Sequence, residues 1–410
     1  MSATVPDSSV TIGPQHKSIP PQLWGSTIAE AGTRGIRLTD LATPVLVIDE
    51  AALQHNTGTM QRWMAARGVS WAPHGKTTMS PELWRRALDA GAWGITVATG
   101  WQALVARAAG VERILVANEI IDPVALDALA ETAPDVVFFV DSVEGATRAS
   151  TAARRAGARL GVIVDLGGAG GRAGVRSGDE AFALASAVAN DPHLELRGVG
   201  GYEGALAHDR NSASIDAVRS WTGQLTRVFE EAVAAGLFAA DGAPIVTASG
   251  SLYFDVVAAE LAPLVGEATV LLRPGAVQTH DSGFYRELSP LVGTTEELHP
   301  AIHVWAHVLA RPEPGLAILD AGRRDVPYDQ HLPVIDQVGG ERVSPLRVTA
   351  VDDQHAYVRA DAELPLAVGD RVRLALSHPC TAFDKWRLIP IVTDGSSPDA
   401  AVVDFVTTIF

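Results

Sequence analysis

From about residue 69 to residue 275, short apolar runs rich in β-branched residues alternate with alanine-rich stretches of helical pattern. Such alternation is typical of βα units arranged around a parallel sheet. The strand candidates span residues 69–73, 95–99, 114–117, 136–140, 160–165, 194–200, 245–248 and 270–273. Eight consecutive units of this kind close most simply into an α/β fold of the (β/α)8 TIM-barrel type.

Beyond residue 290 the pattern changes to short alternating segments separated by Gly, Pro and Asp, which predicts a C-terminal antiparallel β domain. Its strand candidates are residues 303–309, 315–319, 347–351, 356–359 and 371–376. The predicted division is an N-terminal arm over 1–42, the barrel over 43–290 and the β domain over 291–410. The arm, and a strand candidate over Pro44 to Ile48, are candidates to join the β domain.

The composition and net charge of the chain argue against several classes of protein function. A net charge of -16 argues against nucleic acid and against anionic membrane surfaces, because both require a basic footprint. No apolar run approaches the roughly 18 residues of a membrane span, and the first residues lack the pattern of a secretory or transit signal. With Cys380 as the one cysteine, no intramolecular disulfide forms. We therefore expect a cytoplasmic protein that acts on a small molecule.

Lysine is scarce in this chain. Of 32 basic residues only Lys17, Lys76 and Lys385 are lysines, and Lys76 directly follows the first predicted strand. A guanidinium group is not deprotonated in proteins, so a lysine in an arginine-rich chain indicates a need for amine chemistry. The alternative is that the three lysines are chance survivors of a coding bias.

Small residues follow the last two predicted strands. Ser249, Gly250 and Ser251 come after strand seven, and Arg273-Pro-Gly275 comes after strand eight. Loops at these positions often hold phosphate in (β/α)8 barrels, and backbone N–H groups before a helix favour anions. A lysine after strand one and a phosphate loop after strand seven together predict a pyridoxal-phosphate site, although each alone is also typical of an ordinary turn or surface side chain.

Two more loops belong to the same face of the barrel. The glycine-rich loop Asp165 to Gly174 follows strand five, and it predicts close passage of the backbone past a ligand with Arg172 directed toward it. Its likeness to a dinucleotide fingerprint is discounted, because that motif belongs to the first βαβ unit of a doubly wound sheet. Tyr202 lies in the segment that follows strand six, and it is either a phenol at the mouth or a packed rim aromatic.

His378 and Cys380 form the remaining pair. On a strand, residues two apart point to the same side, so the imidazole and the thiolate would converge on one metal ion. Nitrogen and sulfur donors favour zinc, and two protein ligands leave positions open for water and a substrate hydroxyl. The alternative is a buried thiol beside an incidental histidine.

Taken together these motifs resemble the D-serine dehydratase and D-threonine aldolase branch of the alanine-racemase-type (fold type III) pyridoxal-phosphate enzymes. The resemblance extends from about Thr43 to Val392 and includes Pro73-His-Gly-Lys76-Thr, Arg172-Ala-Gly174, Tyr202-Glu-Gly204 and His378-Pro-Cys380. It implies that Lys76 carries the cofactor, that Arg172 and Tyr202 line it, and that four residues surround its phosphate. These four are Ser249, Gly250, Ser251 and Gly275.

The resemblance also implies a reaction. D-serine dehydratases carry the His-x-Cys pair with zinc, as here, which implies removal of the β-hydroxyl of a small D-β-hydroxy amino acid to give a keto acid and ammonia. His208 lies where the aldolases place a base for the substrate hydroxyl, so cleavage to glycine and an aldehyde is the alternative. An amino-acid racemase and a non-catalytic pyridoxal-phosphate-binding protein are further alternatives. The shared active sites of the family imply a homodimer.

Overall fold

The computed structural model describes residues 10–410 and divides them into two compact units. The barrel unit comprises Gln61–Lys76 and Ala87–Gly275. The β unit comprises residues 10–60, Thr77–Arg86 and Ala276–Phe410. Within the described range, no helix is long and apolar enough to cross a membrane.

The strands and helices follow in chain order. The strands are β1 (Val45–Asp49), β2 (Ser70–Trp71), β3 (Ile95–Val97), β4 (Ile114–Glu119), β5 (Val137–Val140), β6 (Leu160–Leu166), β7 (Leu194–Gly201), β8 (Ile245–Ala248), β9 (Thr269–Leu272), β10 (Ile302–Glu313), β11 (Leu316–Leu319), β12 (Val334–Val338), β13 (Glu341–Val351), β14 (Ala356–Arg359), β15 (Arg371–Ala375), β16 (Leu388–Val392) and β17 (Val402–Thr407). The α-helices are α1 (Ile28–Gly32), α2 (Glu50–Ala65), α3 (Pro81–Asp89), α4 (Gly100–Ala108), α5 (Pro123–Thr132), α6 (Val143–Ala156), α7 (Gly178–Ala189), α8 (Ser212–Ala234), α9 (Phe254–Leu261), α10 (Phe284–Leu288) and α11 (Cys380–Phe383).

Strands β2 to β9 form a parallel sheet in the order β2-β9-β8-β7-β6-β5-β4-β3. The ring closes where His74 makes a parallel bridge to Thr96, whose N–H donates to the Pro73 carbonyl at 3.0 Å. The interior is filled by Ala72, Leu115, Ala117, Phe139, Ile163, Ile245 and Leu271. The predicted (β/α)8 barrel is confirmed, and the carboxyl ends of its strands share one face.

On this face, capping side chains lie where a loop ends and the following helix begins. Thr99 accepts the N–H of Gln102 before α4, and Ser142 accepts that of Gly145 before α6. Each such cap stabilises a helix by about 1 kcal/mol. In these two units the caps lie two residues past the strand ends, so both loops are short.

The β unit contains a closed barrel of its own. Strand β10 pairs antiparallel with both β11 and β15, and the ring continues through β14, β13 and β12. Strand β1 extends the sheet from β10 to β16 and β17. The antiparallel β domain is confirmed, with one exception, since β1 and β16 pair parallel.

The sequence predicted domain boundaries after residues 42 and 290. The boundaries of the two observed units differ from these. Residues 10–60 belong to the β unit because β1 pairs with β10 and β16. Most of the predicted arm also packs there, through a core shared with Val45, Trp305 and Phe405. Its apolar members are Ile12, Ile19, Leu23, Ile28, Ala31, Ile36, Leu38 and Leu41. The first nine residues of the arm lie outside the described residues.

Candidate active site

Lys76 lies in a 3-10 turn, Gly75–Thr77, just past the bridge of His74 that closes the barrel. Its side chain is exposed. His74, two residues earlier, has its Nδ1 atom buried without a hydrogen-bond partner. Burial, followed by the positive charges of Lys76, Arg273 and Arg172, lowers the pKa of His74 well below its ordinary value. A neutral imidazole therefore stands beside Lys76 at the mouth of the barrel.

The other two lysines are held in the β unit. Lys17 Nζ donates to Asp325 Oδ1 at 2.9 Å and lies 3.7 Å from the centroid of the Trp386 ring. Lys385 Nζ donates to Asp384 Oδ1 at 2.8 Å. Of the three lysines, Lys76 is the one that follows a strand of the barrel.

The loop after β8 is organised by Glu203. The backbone N–H groups of Ser249 and Gly250 each donate to the Glu203 carboxylate at 2.8 Å. Ser249 has a φ of 82°, in the left-handed region that non-glycine residues adopt only at a cost. The two N–H groups expected to face a phosphate are thus occupied by a carboxylate, which fixes the strained backbone of this loop.

Glu203 is fully buried, and burial raises its pKa although Gly250, Ser249 and Arg273 counteract this. Arg273 is also buried and donates to the Gly201 carbonyl at 2.6 Å and to Thr247 Oγ1. Burial lowers the pKa of Arg273 to about 10, against the opposing charges of Glu203 and Asp165. Arg273 therefore compensates the buried carboxylates of the barrel rather than lying open to solvent.

Three predicted site residues come together around one ring. The Arg172 guanidinium lies 5.0 Å from the centroid of the Tyr202 ring, within range of a cation–π contact. A Cβ added to Gly250 would lie 2.8 Å from Tyr202 Cε2, so this glycine allows the ring to lie against the loop. The structure thus brings Arg172, Tyr202 and Gly250 into one cluster at the carboxyl ends of the strands.

Two further carboxyl groups, one half-buried and one buried, lie in the same region. Glu119 at the end of β4 and Asp165 near the end of β6 are close neighbours. Burial, followed by the charge of Glu119, raises the pKa of Asp165 well above its ordinary value. Glu119 Oε1 is buried without a hydrogen-bond partner. Unpaired buried atoms of Glu119 and His74, an exposed Lys76 and an arginine-bearing glycine loop together fit a polar cofactor such as pyridoxal phosphate.

The other predicted site residues of the barrel are Ser251, Gly275 and His208. Ser251 is half-buried directly after Gly250, and Gly275 follows Arg273 and Pro274 after β9. His208 is exposed, on the loop between the 3-10 helix Glu203–Ala205 and α8.

The local structure of His378 and Cys380 differs from the prediction. They do not lie on a strand, because Cys380 is the first residue of α11 and His378 has a φ of 67°. The expected strand alternation is therefore wrong here, since the chain turns after β15 and starts a helix at Cys380. The turn nevertheless leaves the two side chains close enough for the Cys380 side chain to raise the pKa of His378.

The neighbours of His378 are acidic and lie in the same unit. The Asp281 carboxylate accepts the His378 backbone N–H at 2.7 Å, and the Asp329 carboxylate contacts His378 Nδ1. Burial lowers the pKa of His378, but Cys380 and Asp329 outweigh it and raise that pKa to about 9. Cys380 Sγ lies 3.4 Å from Oγ1 of Thr77, the residue after Lys76 in the chain.

This donor set fits a two-ligand metal site. Imidazole nitrogen and thiolate sulfur are the ligands that zinc prefers among common divalent ions. Across residues 10–410, no three His, Cys, Asp or Glu side chains gather as a metal cluster. Any metal bound by His378 and Cys380 would therefore keep open positions.

The sequence did not predict roles for Glu203, Asp281 or Asp329. Glu203 had a usable signal, because an acidic residue at the end of a buried strand needs a partner. Asp329 had none, since 49 positions separate it from His378 and only the fold brings the two together.

Comparison with known proteins gives two matching family models. The alanine racemase N-terminal domain matches residues 48–251, and the putative serine dehydratase domain matches residues 301–392. D-threo-3-hydroxyaspartate dehydratase from Delftia sp. (strain HT23) is 30% identical over 369 residues, covering 84% of this chain and 92% of that protein. The chain belongs to the fold type III, alanine-racemase-type family of pyridoxal-phosphate enzymes. It falls in the branch that contains D-threonine aldolase and D-threo-3-hydroxyaspartate dehydratase.

Two solved structures share the fold along nearly the whole chain. D-threonine aldolase from Filomicrobium marinum aligns with a TM-score of 0.79 at 26% identity, covering 91% of this chain and 96% of that one. A cysteine-to-alanine variant of D-threo-3-hydroxyaspartate dehydratase in the metal-free form aligns with a TM-score of 0.72 at 25% identity, covering 90% and 98%.

Proposed function

We propose that the protein is a pyridoxal-phosphate- and zinc-dependent D-amino-acid ammonia-lyase. It removes the β-hydroxyl of a small D-β-hydroxy amino acid and yields a keto acid and ammonia, as D-serine dehydratases do. The observation that carries this proposal is the turn at the start of α11 that holds His378 and Cys380 as neighbours, an imidazole and a thiol suited to zinc. Similarity to a dehydratase at 30% identity supports it.

The barrel unit would hold the cofactor. Lys76 would bind it covalently, Ser249, Gly250, Ser251 and Gly275 would surround the phosphate, and Arg172 and Tyr202 would line the ring. Because Glu203 already occupies the N–H groups of Ser249 and Gly250, the phosphate would rely on hydroxyl and backbone donors beyond these two. When bound, pyridoxal phosphate supplies an electron sink for the pair released at Cα.

Residues of this chain would carry out the remaining steps of the reaction. Lys76 would carry the amine that removes the Cα proton. His378 and Cys380 would hold the metal. A zinc ion when bound supplies a Lewis acid that neutralises the charge of the departing hydroxide.

A second candidate reaction is retro-aldol cleavage to glycine and an aldehyde. His208 favours it, because an exposed imidazole on the loop after β7 is available to take the proton of a substrate hydroxyl. Similarity to a D-threonine aldolase is in accord with this route. The two reactions share the substrate class and differ in which bond to Cβ breaks.

Product analysis separates the two reactions. The protein loaded with pyridoxal phosphate and zinc is incubated with D-serine, D-threonine and D-threo-3-hydroxyaspartate. We expect keto acid and ammonia in equal amounts from at least one of them. Glycine and an aldehyde in place of these products would establish the aldolase reaction, and conversion to the L-enantiomer alone would establish a racemase.

A further inference from the structure

The backbone of His378 is held in a strained conformation by the β unit. Its φ of 67° lies in the left-handed region, which is unfavourable for a non-glycine residue. The Asp281 carboxylate offsets this cost by accepting the N–H groups of His378 at 2.7 Å and of Gly283 and Tyr285 at 3.0 Å each. The position of the histidine Cα is therefore fixed before any ligand binds.

The imidazole ring is fixed separately, by Asp329. One carboxylate oxygen of Asp329 contacts His378 Nδ1, and the other accepts the hydroxyl of Thr381 at 2.6 Å. With both oxygens engaged, the carboxylate has little freedom to turn. Its contact with Nδ1 assigns the Nδ1–H tautomer to the neutral ring and leaves the Nε2 lone pair for a ligand.

We propose that Asp329 is the positioning residue that prepares His378 to bind the metal. This inference rests on the proposed metal site. Ligating histidines commonly donate their second ring nitrogen to a carboxylate, which orients the ring and increases its strength as a ligand. Asp329 does not itself bind the metal, because both of its oxygens are used by His378 and Thr381.

A purely structural role for Asp329 predicts something different. The same carboxylate joins the chain around residue 329 to α11 through Thr381, and this link would stabilise the β unit without any metal. Under that alternative, loss of either contact lowers stability equally and leaves metal affinity alone. The two contacts of Asp329 are separable by mutation, so the alternatives can be distinguished.

The test measures zinc affinity of the full-length protein with bound pyridoxal phosphate. The metal is removed with a chelator, and zinc is titrated back against a chromophoric competitor. Asp329→Asn keeps an acceptor for Nδ1–H but removes the charge, and we expect zinc to bind roughly 10- to 100-fold more weakly. Thr381→Val removes the other contact of the same carboxylate, and we expect affinity within about threefold of wild type. Melting temperatures of the zinc-free forms report the structural contribution.

Zinc affinity of Asp329→Asn within threefold of wild type would overturn the inference. So would equal losses of affinity in Asp329→Asn and Thr381→Val, because these would indicate an anchoring role. If Asp329→Asn does not fold, Asp329→Glu decides, since it keeps the charge but displaces the carboxylate. Weakening of about tenfold in that variant would support the inference, and unchanged affinity would overturn it.

Cys380→Ser in the same titration tests the metal site itself. Loss of zinc binding in this variant supports the site and makes the Asp329 comparison decisive. Absence of zinc binding by the wild type, or equal binding by Cys380→Ser, would overturn the metal part of the proposed function and this inference with it. Unchanged binding by Asp329→Asn beside lost binding by Cys380→Ser would overturn the inference alone.

Discussion

The carboxylate of Glu203 accepts the backbone N–H of Gly250 at 2.8 Å, across two successive loops at the mouth of the barrel. Its second oxygen accepts the N–H of Ser249, also at 2.8 Å. The buried Glu203 carboxylate therefore holds this loop in its strained conformation. It is the loop that we expect to bind phosphate. Contacts within the protein thus shape this loop.

Glu203→Gln is expected to weaken both stability and cofactor binding. The amide NH2 replaces one acceptor oxygen, so one buried N–H of the loop loses its partner, at a cost of about 1–3 kcal/mol. We expect that decrease in the free energy of unfolding and roughly tenfold weaker binding of pyridoxal phosphate, measured by urea unfolding and by fluorescence titration. The exposed Glu230→Gln serves as the control, and equal behaviour of the two variants would contradict the role of Glu203.

Gly250→Leu is expected to reduce cofactor affinity in a folded protein. Its Cβ would lie 2.8 Å from Tyr202 Cε2, so the ring must move from its place beside Arg172. We expect pyridoxal phosphate to bind at least roughly tenfold more weakly, because a bulky side chain removes the close approach of backbone to ligand. Gly223→Leu in α8 is the matched control, since its Cβ meets nothing within 4 Å. Equal retention of cofactor by the two variants would count against the phosphate loop.

Lys76→Ala is expected to abolish covalent attachment of the cofactor. Lys385 donates to Asp384 and Lys17 to Asp325, so neither is placed to replace it. Borohydride reduction of the wild type followed by peptide mapping should find the pyridoxyl label on Lys76. Lys385→Ala should keep the visible absorption band that Lys76→Ala loses, and a label on Lys17 or Lys385 would show that the assignment is wrong.

The barrel was predictable because its strands are continuous apolar runs bounded by turn residues. Strand β8 spans the predicted residues 245–248, and β6 differs by one residue. In the β domain three strands were missed. Strand β16 contains Pro390, which removes a ladder donor, and β12 contains the polar Asp336 and Gln337, so neither has a clear strand pattern.

The site was less predictable than the fold, because its supporting contacts join distant parts of the sequence. Alternation along a strand predicted that His378 and Cys380 would converge, but a left-handed turn and the start of α11 bring them together instead. The hydrogen bond between Glu203 and Gly250 joins residues that are 47 positions apart in the sequence. The contact of Asp329 with His378 joins residues that are 49 positions apart. Such pairings arise from the path of the chain and have no local pattern.

Cys380→Asp is expected to change metal preference. Replacement of a soft thiolate by a hard carboxylate at the same position favours manganese over zinc. Titration of the metal-free variant with each ion in turn, followed by elemental analysis, checks this shift. Cys380→Ser is the control, since it removes the thiolate without supplying a carboxylate. A Cys380→Asp variant that keeps the zinc preference of the wild type would contradict a direct role of residue 380 as ligand.

Keto-acid release before and after chelation tests most directly whether a metal held by His378 and Cys380 drives departure of the substrate hydroxyl. The rate is followed with D-threo-3-hydroxyaspartate and D-serine for the native protein, the chelated protein and the chelated protein with zinc restored. We expect the rate to fall roughly 100-fold or more on chelation, because the Lewis acid is lost, and to return with zinc. The cofactor absorption band should persist throughout, since Lys76 holds the cofactor separately. Full keto-acid release from a protein that elemental analysis shows to be free of metal would contradict the account.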